Sequence, residues 1–447
     1  MKPVDIVLTT YNRLDLTRAC VESVLERTSV PFRLIIVDDG STDGTWEYLT
    51  ELQDADQRVV AFTQDHQGYL ATANRGWRIA LERDGDYLVT LNNDVVVPHG
   101  WLRTLLAPME LDQKVAAVGP LSTARSQWQF AGRISELVKR TLPAPQAGYL
   151  TAGVSMLAFF CCLLRKSAVR EVGLQDERFY PGPGGDDDYC FRLRAHGWKL
   201  ALSLETLVEH VHGATMRELH DPRGLSGFEK LREKWGKRVW VSVLNQGDMR
   251  AELVNLLLRM SHERLHTVRF EYPRDRPIAN NRNLIAKRFL ESDYDYLLMI
   301  DSDVVPPRDP LDLVVLDKDI IGLPCFVWNS KVSRDHPLYL VVMEHIPGKG
   351  FRSLPMDPQA GLTCKSKDGR PIDAVGTGAI LIARRVLEEV KAPFERRFDQ
   401  DGVQTMGLDY SFCLKARQAG FTVWTHMDYV CSHWVTVDLK DIARLVR

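Results

Sequence analysis

Apolar and polar residues alternate along the first part of the chain in a regular succession of short strands and amphipathic helices. The apolar runs DIVLTT, FRLIIVDDG, RVVAFTQ and YLVTLNND are separated by the helical stretches LTRACVESVLER, GTWEYLTELQ and ATANRGWRIALER. Strands that alternate with helices predict parallel βαβ units and an open α/β sheet. The polar phrases TTYNR, DDGSTDGT and NND each follow a strand, and ligands bind at that end of such sheets.

One segment of this pattern, a helix followed by an apolar strand and an acidic turn, occurs twice in the chain. YLVTLNNDVVVP begins at Tyr87 and YLLMIDSDVVPP begins at Tyr296, and an amphipathic helix starting at Asn74 or Asn283 precedes each phrase. Two long segments that agree in order and spacing predict two copies of one α/β domain.

A third segment extends the repeat towards the end of each copy. DDDYCFRLRAHGW from Asp186 matches DYSFCLKARQAGF from Asp409, with a cysteine four residues after each aspartate. A histidine follows each aspartate by 24 residues, at His210 and His433. The charged helix FEKLREKWGKR precedes a new strand, VWVSVL, so the domains are placed at residues 1–237 and 238–447.

Composition and charge narrow the class of protein. The 447 residues are 45% hydrophobic and 26% charged, with a net charge of -2, so no global basic field attracts nucleic acid or an anionic membrane. Eight cysteines without CxxC pairs indicate reduced thiols and a cytoplasmic protein. The first residues enter a strand at once and no apolar run reaches about 20 residues, so neither a signal peptide nor a membrane anchor is expected.

The repeated acidic phrase suggests a metal site. A strand that ends in Asp-x-Asp directs two carboxylates to the same side, and such oxygens suit Mg²⁺ or Mn²⁺ bound to substrate phosphates. Asp301 and Asp303 form this pair, whereas Asn92 replaces the first acid in the other copy and leaves Asp94 as the candidate ligand. A turn or a helix cap is the more frequent explanation of a single such motif, but its repetition after a long apolar strand favours a metal.

The aspartates at the start of the third segment are candidates for a general base. Asp186 and Asp409 each begin an amphipathic helix, where a helix-capping role is the alternative. Asp187 and Asp188 extend the acidic run in the first copy only, so a structural or solvent-facing role is expected for them. An acid beside a metal site is suited to accept a proton from a substrate hydroxyl.

The histidines and the DDGSTDGT phrase leave two readings open. His210 and His433 are either ordinary core or surface histidines or contacts to metal and phosphate, and His212 is a second candidate in the first copy. Asp38 and Asp39 are either part of an acidic turn or hydrogen-bond acceptors for a base or ribose, on which Tyr11 would stack.

Both halves resemble family-two glycosyltransferases of the GT-A fold. In the first half the resemblance rests on TTYNR, VDDGSTDGT, LNNDVVVP, GGDDDYCFRLRAHGW and HVHGAT, and in the second on ANNRN, MIDSDVVPP, VGTGAILIARR, GLDYSFCLKARQAGF and SHW. The resemblance implies two tandem Rossmann-like GT-A domains, nucleotide-sugar donors that are usually UDP-linked, Mn²⁺ or Mg²⁺, and inversion at the anomeric carbon.

The resemblance also assigns roles by position. The implied bases are Asp186 and Asp409. The implied metal ligands are Asp94, His210, Asp301, Asp303 and His433. The implied contacts to the nucleotide sugar are Thr9, Tyr11, Asp39, Asn74, Asn93, Asp94, Arg282, Asp301 and Ser302.

Some positions depart from the family pattern. The acid that usually precedes the base is Gly185 in one copy and Leu408 in the other, and the usual Arg-Asn pair is Ala73-Asn74 in the first copy. The second copy has no DDGS phrase, which makes its base pocket the least defined part of either site.

The sequence therefore predicts a bifunctional, metal-dependent inverting glycosyltransferase that moves sugars to an acceptor hydroxyl. One alternative is a single active first domain with a degenerate second domain that binds acceptor or glycan, with modified phage DNA as a candidate acceptor. A non-catalytic sugar-binding scaffold is the third hypothesis, and it predicts loss of the carboxylates at 94, 186, 303 and 409, all of which are present. The net charge does not favour a nucleic-acid acceptor.

Overall fold

The computed structural model of the chain describes residues 1–124, 129, 131, 148–151, 154–211, 225–245, 247–274, 278–328 and 338–434. The HVHGAT motif is therefore described as far as Val211, and His212 lies outside the described residues. The chain divides into two compact units, Met1–Lys234 and Trp235–Arg447.

The first unit is an α/β structure around one large sheet. Its strands and helices are β1 (Val4–Thr10), α1 (Leu14–Arg27), β2 (Phe32–Asp38), α2 (Thr45–Ala55), β3 (Val59–Thr63), α3 (Tyr69–Glu82), β4 (Tyr87–Asn92), β5 (Val95–Val96), α4 (Trp101–Leu111), β6 (Val115–Ser122), β7 (Tyr149–Leu150), β8 (Cys161–Arg165), α5 (Lys166–Val172), α6 (Gly185–Ala195), β9 (Lys199–His210) and α7 (Gly227–Trp235). The nine strands follow the order β3-β2-β1-β4-β8-β6-β9-β5, with β7 beside β9.

The α/β expectation is confirmed for the first unit. Strands β1 to β4 pair in parallel, as the alternation of strands and helices predicts, whereas β8 is antiparallel to both β4 and β6. Every residue of β1 is buried, with Ile6 and Leu8 in the apolar cluster on one face of the sheet and Val7 in the cluster on the other. A strand covered on both faces explains the continuous apolar runs of the sequence.

One glycine sets how closely helix α3 packs on the sheet. A Cβ atom at Gly76 would lie 2.2 Å from Cγ1 of Val7 and 3.3 Å from Cγ2 of Val37. The helix that carries Asn74 therefore packs against β1 and β2 with no room for a side chain at this position.

The second unit is also built on a mixed sheet. Its elements are β10 (Arg238–Leu244), α8 (Ala251–Met260), β11 (Thr267–Glu271), α9 (Ile278–Leu290), β12 (Tyr296–Asp301), β13 (Val304–Val305), a 3₁₀ helix (Pro310–Leu316), β14 (Ile320–Gly322), β15 (Phe326–Trp328), β16 (Leu338–Leu340), β17 (Val342–Ile346), β18 (Gly350–Ser353), β19 (Leu362–Thr363), β20 (Ala374–Val375), β21 (Ala379–Ala383), α10 (Arg384–Glu389), β22 (Arg397–Phe398), β23 (Gln404–Met406), α11 (Leu408–Gln418), β24 (Val423–His426) and β25 (Ser432–His433). Its main sheet has seven strands in the order β11-β10-β12-β21-β14-β24-β19.

The repeat seen in the sequence is also present in the strand pairing. In the first unit the path β1-β4-β8-β6-β9 is parallel, antiparallel, antiparallel and parallel, and the path β10-β12-β21-β14-β24 has the same four senses. The second sheet ends at β11, whereas the first continues from β2 to β3. Within the described residues, the second unit thus has no counterpart of α2 and β3.

The cysteines and the helices of the structure bear on the expected thiol chemistry and on membrane insertion. All eight cysteines are free thiols, seven of them buried and Cys364 half-buried, as expected for reduced residues of a core. No helix in the described ranges has the length and apolar character needed to cross a bilayer.

Candidate functional site

The end of β4 brings an aspartate and a histidine together in the first unit. The short strand β5 pairs antiparallel with the end of β9, so that Val95 lies opposite His210. The Nε2 atom of His210 is 3.2 Å from Oδ1 of Asp94, and both side chains are buried. The imidazole is also stacked on Phe160, with ring centroids 4.7 Å apart. The predicted pair of metal ligands is therefore adjacent and held in place.

Asn93 shapes the turn that presents Asp94. Its Nδ2 atom donates to the hydroxyls of Thr10 and Thr17 at 3.1 and 3.0 Å, and these two hydroxyl oxygens are 2.7 Å apart. Thr9 is a buried residue of β1 and pairs with Asn92 of β4. The direct contacts of Thr9 and Asn93 with a donor stay predictions, because in the structure both residues support the strand ends.

Asp186 lies at the start of α6, where the main chain of a neighbouring segment holds it. Its Oδ2 atom accepts a hydrogen bond from the N–H of Phe159 at 2.9 Å. Burial raises the pKa of Asp186 to about 7, and the Phe159 N–H opposes part of this rise. A carboxylate with a pKa near neutrality is well matched to general-base catalysis.

The other two acids of the triplet behave differently from Asp186. Burial raises the pKa of Asp187 to about 6, with a smaller contribution from the charge of Asp188. Asp188 is fully buried and forms ion pairs with Arg192 at 3.0 Å and with Lys234 at 2.6 Å. Asp188 is thus structural, as the sequence led us to expect.

The structure gives Asp39 a different environment from the one that the sequence suggested. Its Oδ1 atom accepts hydrogen bonds from Gln64 Nε2 at 2.8 Å and from the N–H of Gln67 at 2.9 Å. Its Oδ2 atom accepts one from the N–H of Gly68 at 2.8 Å and lies 2.8 Å from Nδ1 of His66. The loop that follows β3 therefore uses the carboxylate that we expected to contact the base.

Tyr11 and Asp38 also have partners within the protein. The ring of Tyr11 stacks on His66 with centroids 4.2 Å apart and an interplanar angle of 29°. The carboxylate of Asp38 accepts hydrogen bonds from Ser41 and from the Thr63 hydroxyl, the latter at 2.9 Å. His66 is the residue of this group that sequence reasoning missed, since QDHQG in a loop carries no motif.

The candidate site of the second unit is organised around a buried arginine. The Nη2 atom of Arg282 donates to both carboxylate oxygens of Asp301 at 2.9 Å, and Nη1 is 3.4 Å from Oδ1 of Asp409. The pKa of Asp301 is raised to about 6 because burial outweighs the opposing charge of Arg282. Arg282 itself is 3% exposed, so it joins the predicted metal ligand to the predicted base.

The remaining predicted residues of the second unit lie at the same strand end. His433 Nε2 is 3.8 Å from Oδ2 of Asp303, and its Nδ1 atom is 3.1 Å from the carbonyl oxygen of Phe326. The N–H of Ser302 donates to the carbonyl of Leu244 at 3.0 Å. Six of the residues implied by the resemblance therefore occur in one neighbourhood of this unit, namely Arg282, Asp301, Ser302, Asp303, Asp409 and His433.

The two units hold their aspartates in matching ways. The N–H of Thr377, at 3.3 Å from Oδ2 of Asp409, corresponds to that of Phe159 on Asp186, and the Thr377 hydroxyl adds a second bond at 2.5 Å. Three further hydrogen bonds of the first unit have a counterpart in the second. The Sγ atom of Cys190 donates to the carbonyl of Leu157, as that of Cys413 does to Val375. The N–H groups of Asn92 and Val211 donate to the carbonyls of Phe160 and Asp94, as those of Asp301 and Trp434 do to Gly378 and Asp303. The repeat thus extends to individual hydrogen bonds.

Asn74 and Asn283 form a further matching pair. The Asn74 amide donates to the carbonyl of Gln175 and accepts from its N–H, both at 2.9 Å. Asn283 makes the same two bonds with Phe394, at 2.6 and 3.0 Å. The amide of Asn74 is thus engaged with the segment that leads into α6, and its contact with the donor stays a prediction.

Replacement of Asn74 by alanine is expected to lower the free energy of unfolding by about 2 kcal/mol, because two buried hydrogen bonds are lost and the Gln175 backbone is left unpaired. Chemical denaturation followed by fluorescence measures this change. Arg78→Ala on the exposed face of the same helix is the matched control, since its contact with Glu177 at 3.9 Å is expected to contribute less than about 0.5 kcal/mol. Equal effects of the two variants would contradict the assignment.

The donor sets of the two units differ in how well they suit a divalent cation. The described ranges hold no group of three or more His, Cys, Asp or Glu side chains arranged around a metal position. Asp94 and His210 still offer one oxygen and one nitrogen, which fits an ion that takes its other ligands from a diphosphate and water. In the second unit Arg282 occupies both oxygens of Asp301, so Asp303 and His433 are the better-placed donors.

Comparison with known proteins finds a family profile that matches part of the first unit. Residues 5–173 match the sequence profile of Glycosyl transferase family 2. The O-antigen biosynthesis protein RfbC of Myxococcus xanthus is 30% identical over 231 residues, which are 48% of this chain and 18% of RfbC. Poly-beta-1,6-N-acetyl-D-glucosamine synthase of Staphylococcus aureus (strain MW2) is 24% identical over 239 residues, which are 53% of this chain and 54% of the synthase. The chain thus spans about half or less of the length of these relatives.

The solved structures that match this chain cover about half of it. The crystal structure of GalNAc-T7 with UDP, GalNAc and Mn²⁺ is 17% identical, with a TM-score of 0.42, and the match covers 52% of this chain and 48% of GalNAc-T7. The mannosyltransferase PcManGT from Pyrobaculum calidifontis, in complex with GDP-Man and Mn²⁺, is 16% identical with a TM-score of 0.36, covering 52% of this chain and 60% of PcManGT. The profile match shows that the first unit contains a glycosyl transferase family 2 domain.

Proposed function

We propose that the chain carries two GT-A glycosyltransferase centres, one in each unit, which move sugars from nucleotide-sugar donors to acceptor hydroxyls with inversion. UDP-sugars are the first donors to test. One observation carries the proposal: Asp186 and Asp409 begin equivalent helices, and each accepts a hydrogen bond from the equivalent main-chain N–H, that of Phe159 or Thr377. The domains proposed from the sequence, residues 1–237 and 238–447, correspond to these two centres.

In the first unit the residues divide the chemical work. Asp94 and His210 would hold a divalent cation, Mn²⁺ or Mg²⁺, which when bound supplies a Lewis acid for the departing diphosphate. Asp186 accepts the proton of the acceptor hydroxyl while that oxygen bonds to the anomeric carbon. The bond between the anomeric carbon and the diphosphate oxygen breaks on the opposite face, which inverts the configuration. Burial of Asp186 favours this role, because its raised pKa makes it a stronger base.

In the second unit Arg282 would stabilise the charge of the donor phosphates, a role for which the first unit has no arginine at the corresponding position, Ala73. Its guanidinium is a five-donor group suited to phosphate oxygens, and Asp301 fixes its orientation. Asp303 and His433 would hold a cation, and Asp409 would be the base. The Thr377 hydroxyl keeps one oxygen of Asp409 hydrogen-bonded and so orients the other oxygen.

The second candidate function is a single active centre in the first unit, with the second unit gripping the acceptor. Two observations favour it: the second sheet lacks the counterpart of β3 in the described residues, and Arg282 covers Asp301. The acceptor in either case carries a hydroxyl, in a glycan or another molecule. The net charge of -2 gives no support to a nucleic-acid acceptor.

Turnover of a panel of nucleotide sugars with Mn²⁺ tests the proposal directly. Release of nucleoside diphosphate is measured for the wild type, for Asp186→Asn and for Asp409→Asn. Two active centres predict that each variant loses turnover of a different donor. If Asp409→Asn changes no donor while Asp186→Asn abolishes all turnover, the second unit is an acceptor-binding module. A wild type that is inactive on every donor and acceptor tried, and binds none of the nucleotides, would contradict both functions.

Replacement of His210 by alanine is expected to weaken Mn²⁺ binding about 10-fold or more, since one of two protein ligands is removed. Electron paramagnetic resonance counts the free Mn²⁺ at a fixed UDP concentration. His99→Ala, an exposed histidine of the same unit, is the control and is expected to leave the affinity unchanged. Unaltered Mn²⁺ affinity in a folded His210→Ala variant would show that this histidine is not a ligand.

A further inference from the structure

The carboxylate of Asp39 has no acceptor site left for a ligand. A carboxylate offers about four lone-pair positions. Four donors of the loop after β3 surround these positions, two at each oxygen: Gln64 Nε2, the Gln67 N–H, the Gly68 N–H and His66 Nδ1, all between 2.8 and 2.9 Å. The group that the sequence suggested for reading the nucleobase is therefore saturated by the protein itself.

The contact with Asp39 fixes the chemical character of His66. An ionised carboxylate only accepts hydrogen bonds, so the His66 nitrogen facing it, Nδ1, carries a proton. In the neutral imidazole the second nitrogen, Nε2, is then an acceptor. No hydrogen bond to Nε2 is found among the described residues, and the side chain is 34% exposed. The contact with Asp39 thus leaves Nε2 of His66 as a hydrogen-bond acceptor that a ligand can reach.

The ring of His66 also has an aromatic surface beneath it. Tyr11 stacks on the imidazole at 4.2 Å, and its position at the end of β1 is the one expected for a residue that stacks on the base. A flat ligand that hydrogen-bonds to Nε2 in the plane of the imidazole lies beside this stacked pair. Hydrogen bonds to the edge of a base are the interaction that distinguishes one base from another.

We propose that His66, oriented by Asp39 and supported by Tyr11, is the residue of the first unit that reads the nucleobase of the donor. Its Nε2 atom accepts a hydrogen bond from a ring N–H that is flanked by carbonyl groups. Uracil and thymine carry such an N–H, and guanine carries one beside a single carbonyl, whereas cytosine and adenine present a ring acceptor at the corresponding edge. The inference rests on the proposed function, because it presupposes that the first unit binds a nucleotide donor.

Calorimetric titration of the full chain with nucleoside diphosphates tests the assignment. The probes are UDP, CDP and 3-methyluridine diphosphate, in which a methyl group replaces the ring proton. The titrations use Mg²⁺ and pH 8, where an ordinary imidazole is neutral. We expect the wild type to bind UDP at least 10-fold more tightly than either other probe, since a site built around a hydrogen bond rejects a ligand that lacks the partner.

Substitutions separate the reading of the base from general loop damage. His66→Ala is expected to lose the preference for UDP over 3-methyluridine diphosphate, and His66→Gln, whose amide oxygen can accept a hydrogen bond, is expected to recover part of it. Retention of the full preference in a folded His66→Ala variant, or equal binding of UDP and its methylated form by the wild type, overturns the inference and leaves the proposed function standing. Failure of the wild type to bind any nucleoside diphosphate, GDP and dTDP included, overturns both.

Discussion

Asp186→Asn is expected to make the protein more resistant to unfolding at pH 8 while it removes the turnover of the first unit. Burial raises the pKa of Asp186 to about 7, so the folded state binds the proton more tightly than the unfolded state, where the pKa is near 4. Between these values the unfolded state holds fewer protons, and stability falls as the pH rises. An asparagine has no charge to bury and keeps an oxygen that accepts from the Phe159 N–H.

The size of the stabilisation follows from the pKa difference and from the remaining exposure. Each pKa unit is worth about 1.4 kcal/mol. Because the Asp186 side chain is half-buried, we expect a gain of about 1 to 2 kcal/mol at pH 8 and almost none at pH 4. Thermal unfolding followed at both pH values measures it. A lower Tm for Asp186→Asn at pH 8 would contradict the assignment of a destabilising buried carboxylate.

The catalytic part of this prediction is a loss of about 10²- to 10⁴-fold in kcat, the usual contribution of a general base. Asp187→Asn is the matched control, because it removes a neighbouring carboxylate whose pKa is also raised, to about 6. The corresponding residue of the second unit is Tyr410, so the carboxylate of Asp187 is not part of the repeated site. We expect this control to gain stability without a comparable loss of kcat. The wild-type rate is expected to fall at low pH with a midpoint above the ordinary aspartate value.

Arg282→Ala is expected to destabilise the second unit and to abolish the turnover proposed for it. The substitution leaves Asp301 and Asp409 without the guanidinium that lies between them. Removal of one partner of a fully buried ion pair costs about 3 to 5 kcal/mol. Because the two carboxylates are 23% and 37% exposed, we expect about 2 kcal/mol here. The control is Arg288→Ala, on the same helix as Arg282, which breaks a more exposed ion pair with Glu271 of β11. This substitution should cost less than about 1 kcal/mol.

The first unit supplies a rescue for this variant. At the positions that correspond to Arg282 and Asp301 it has Ala73 and Asn92, an uncharged pair. Arg282→Ala combined with Asp301→Asn is therefore expected to recover about 1 kcal/mol or more, because the substitutions are coupled through one ion pair. Denaturation of the two single variants and the double variant measures the coupling. Additive losses would show that the ion pair does not hold the site together.

The sequence revealed the repeat and the strand ends because these depend on local patterns. The spacing of Asp186 and Asp409 to their cysteines and histidines is preserved, and the structure gives the two aspartates matching main-chain contacts. The parallel strands β1 to β4 follow from alternation along the chain. The antiparallel position of β8 in the sheet does not follow from this alternation. It depends on the pairing of β8 with β4, which lies more than 60 residues earlier in the chain.

The environment of Asp39 and Arg282 could not be read from the sequence. Saturation of Asp39 depends on how the loop after β3 folds back, and QDHQG carries no signal for that conformation. The position of Arg282 between Asp301 and Asp409 depends on three elements meeting at one point. Motifs identify which side chains are available, whereas the partners that already occupy them are a property of the folded chain.

The hydrogen bond that fixes each proposed base comes from a peptide group, and this has a consequence for recognising distant copies of the site. Phenylalanine at position 159 and threonine at position 377 both supply this N–H, and among the standard residues only proline lacks it. A change of side chain at this position therefore keeps the main-chain bond to the aspartate, although at position 377 it would remove the additional bond from the threonine hydroxyl. A search for unrecognised second copies of such a domain can therefore use the contact itself, an aspartate at the start of a helix that accepts from the N–H just before an antiparallel strand. This criterion will be more sensitive than a comparison of residue identities at the position that supplies the N–H.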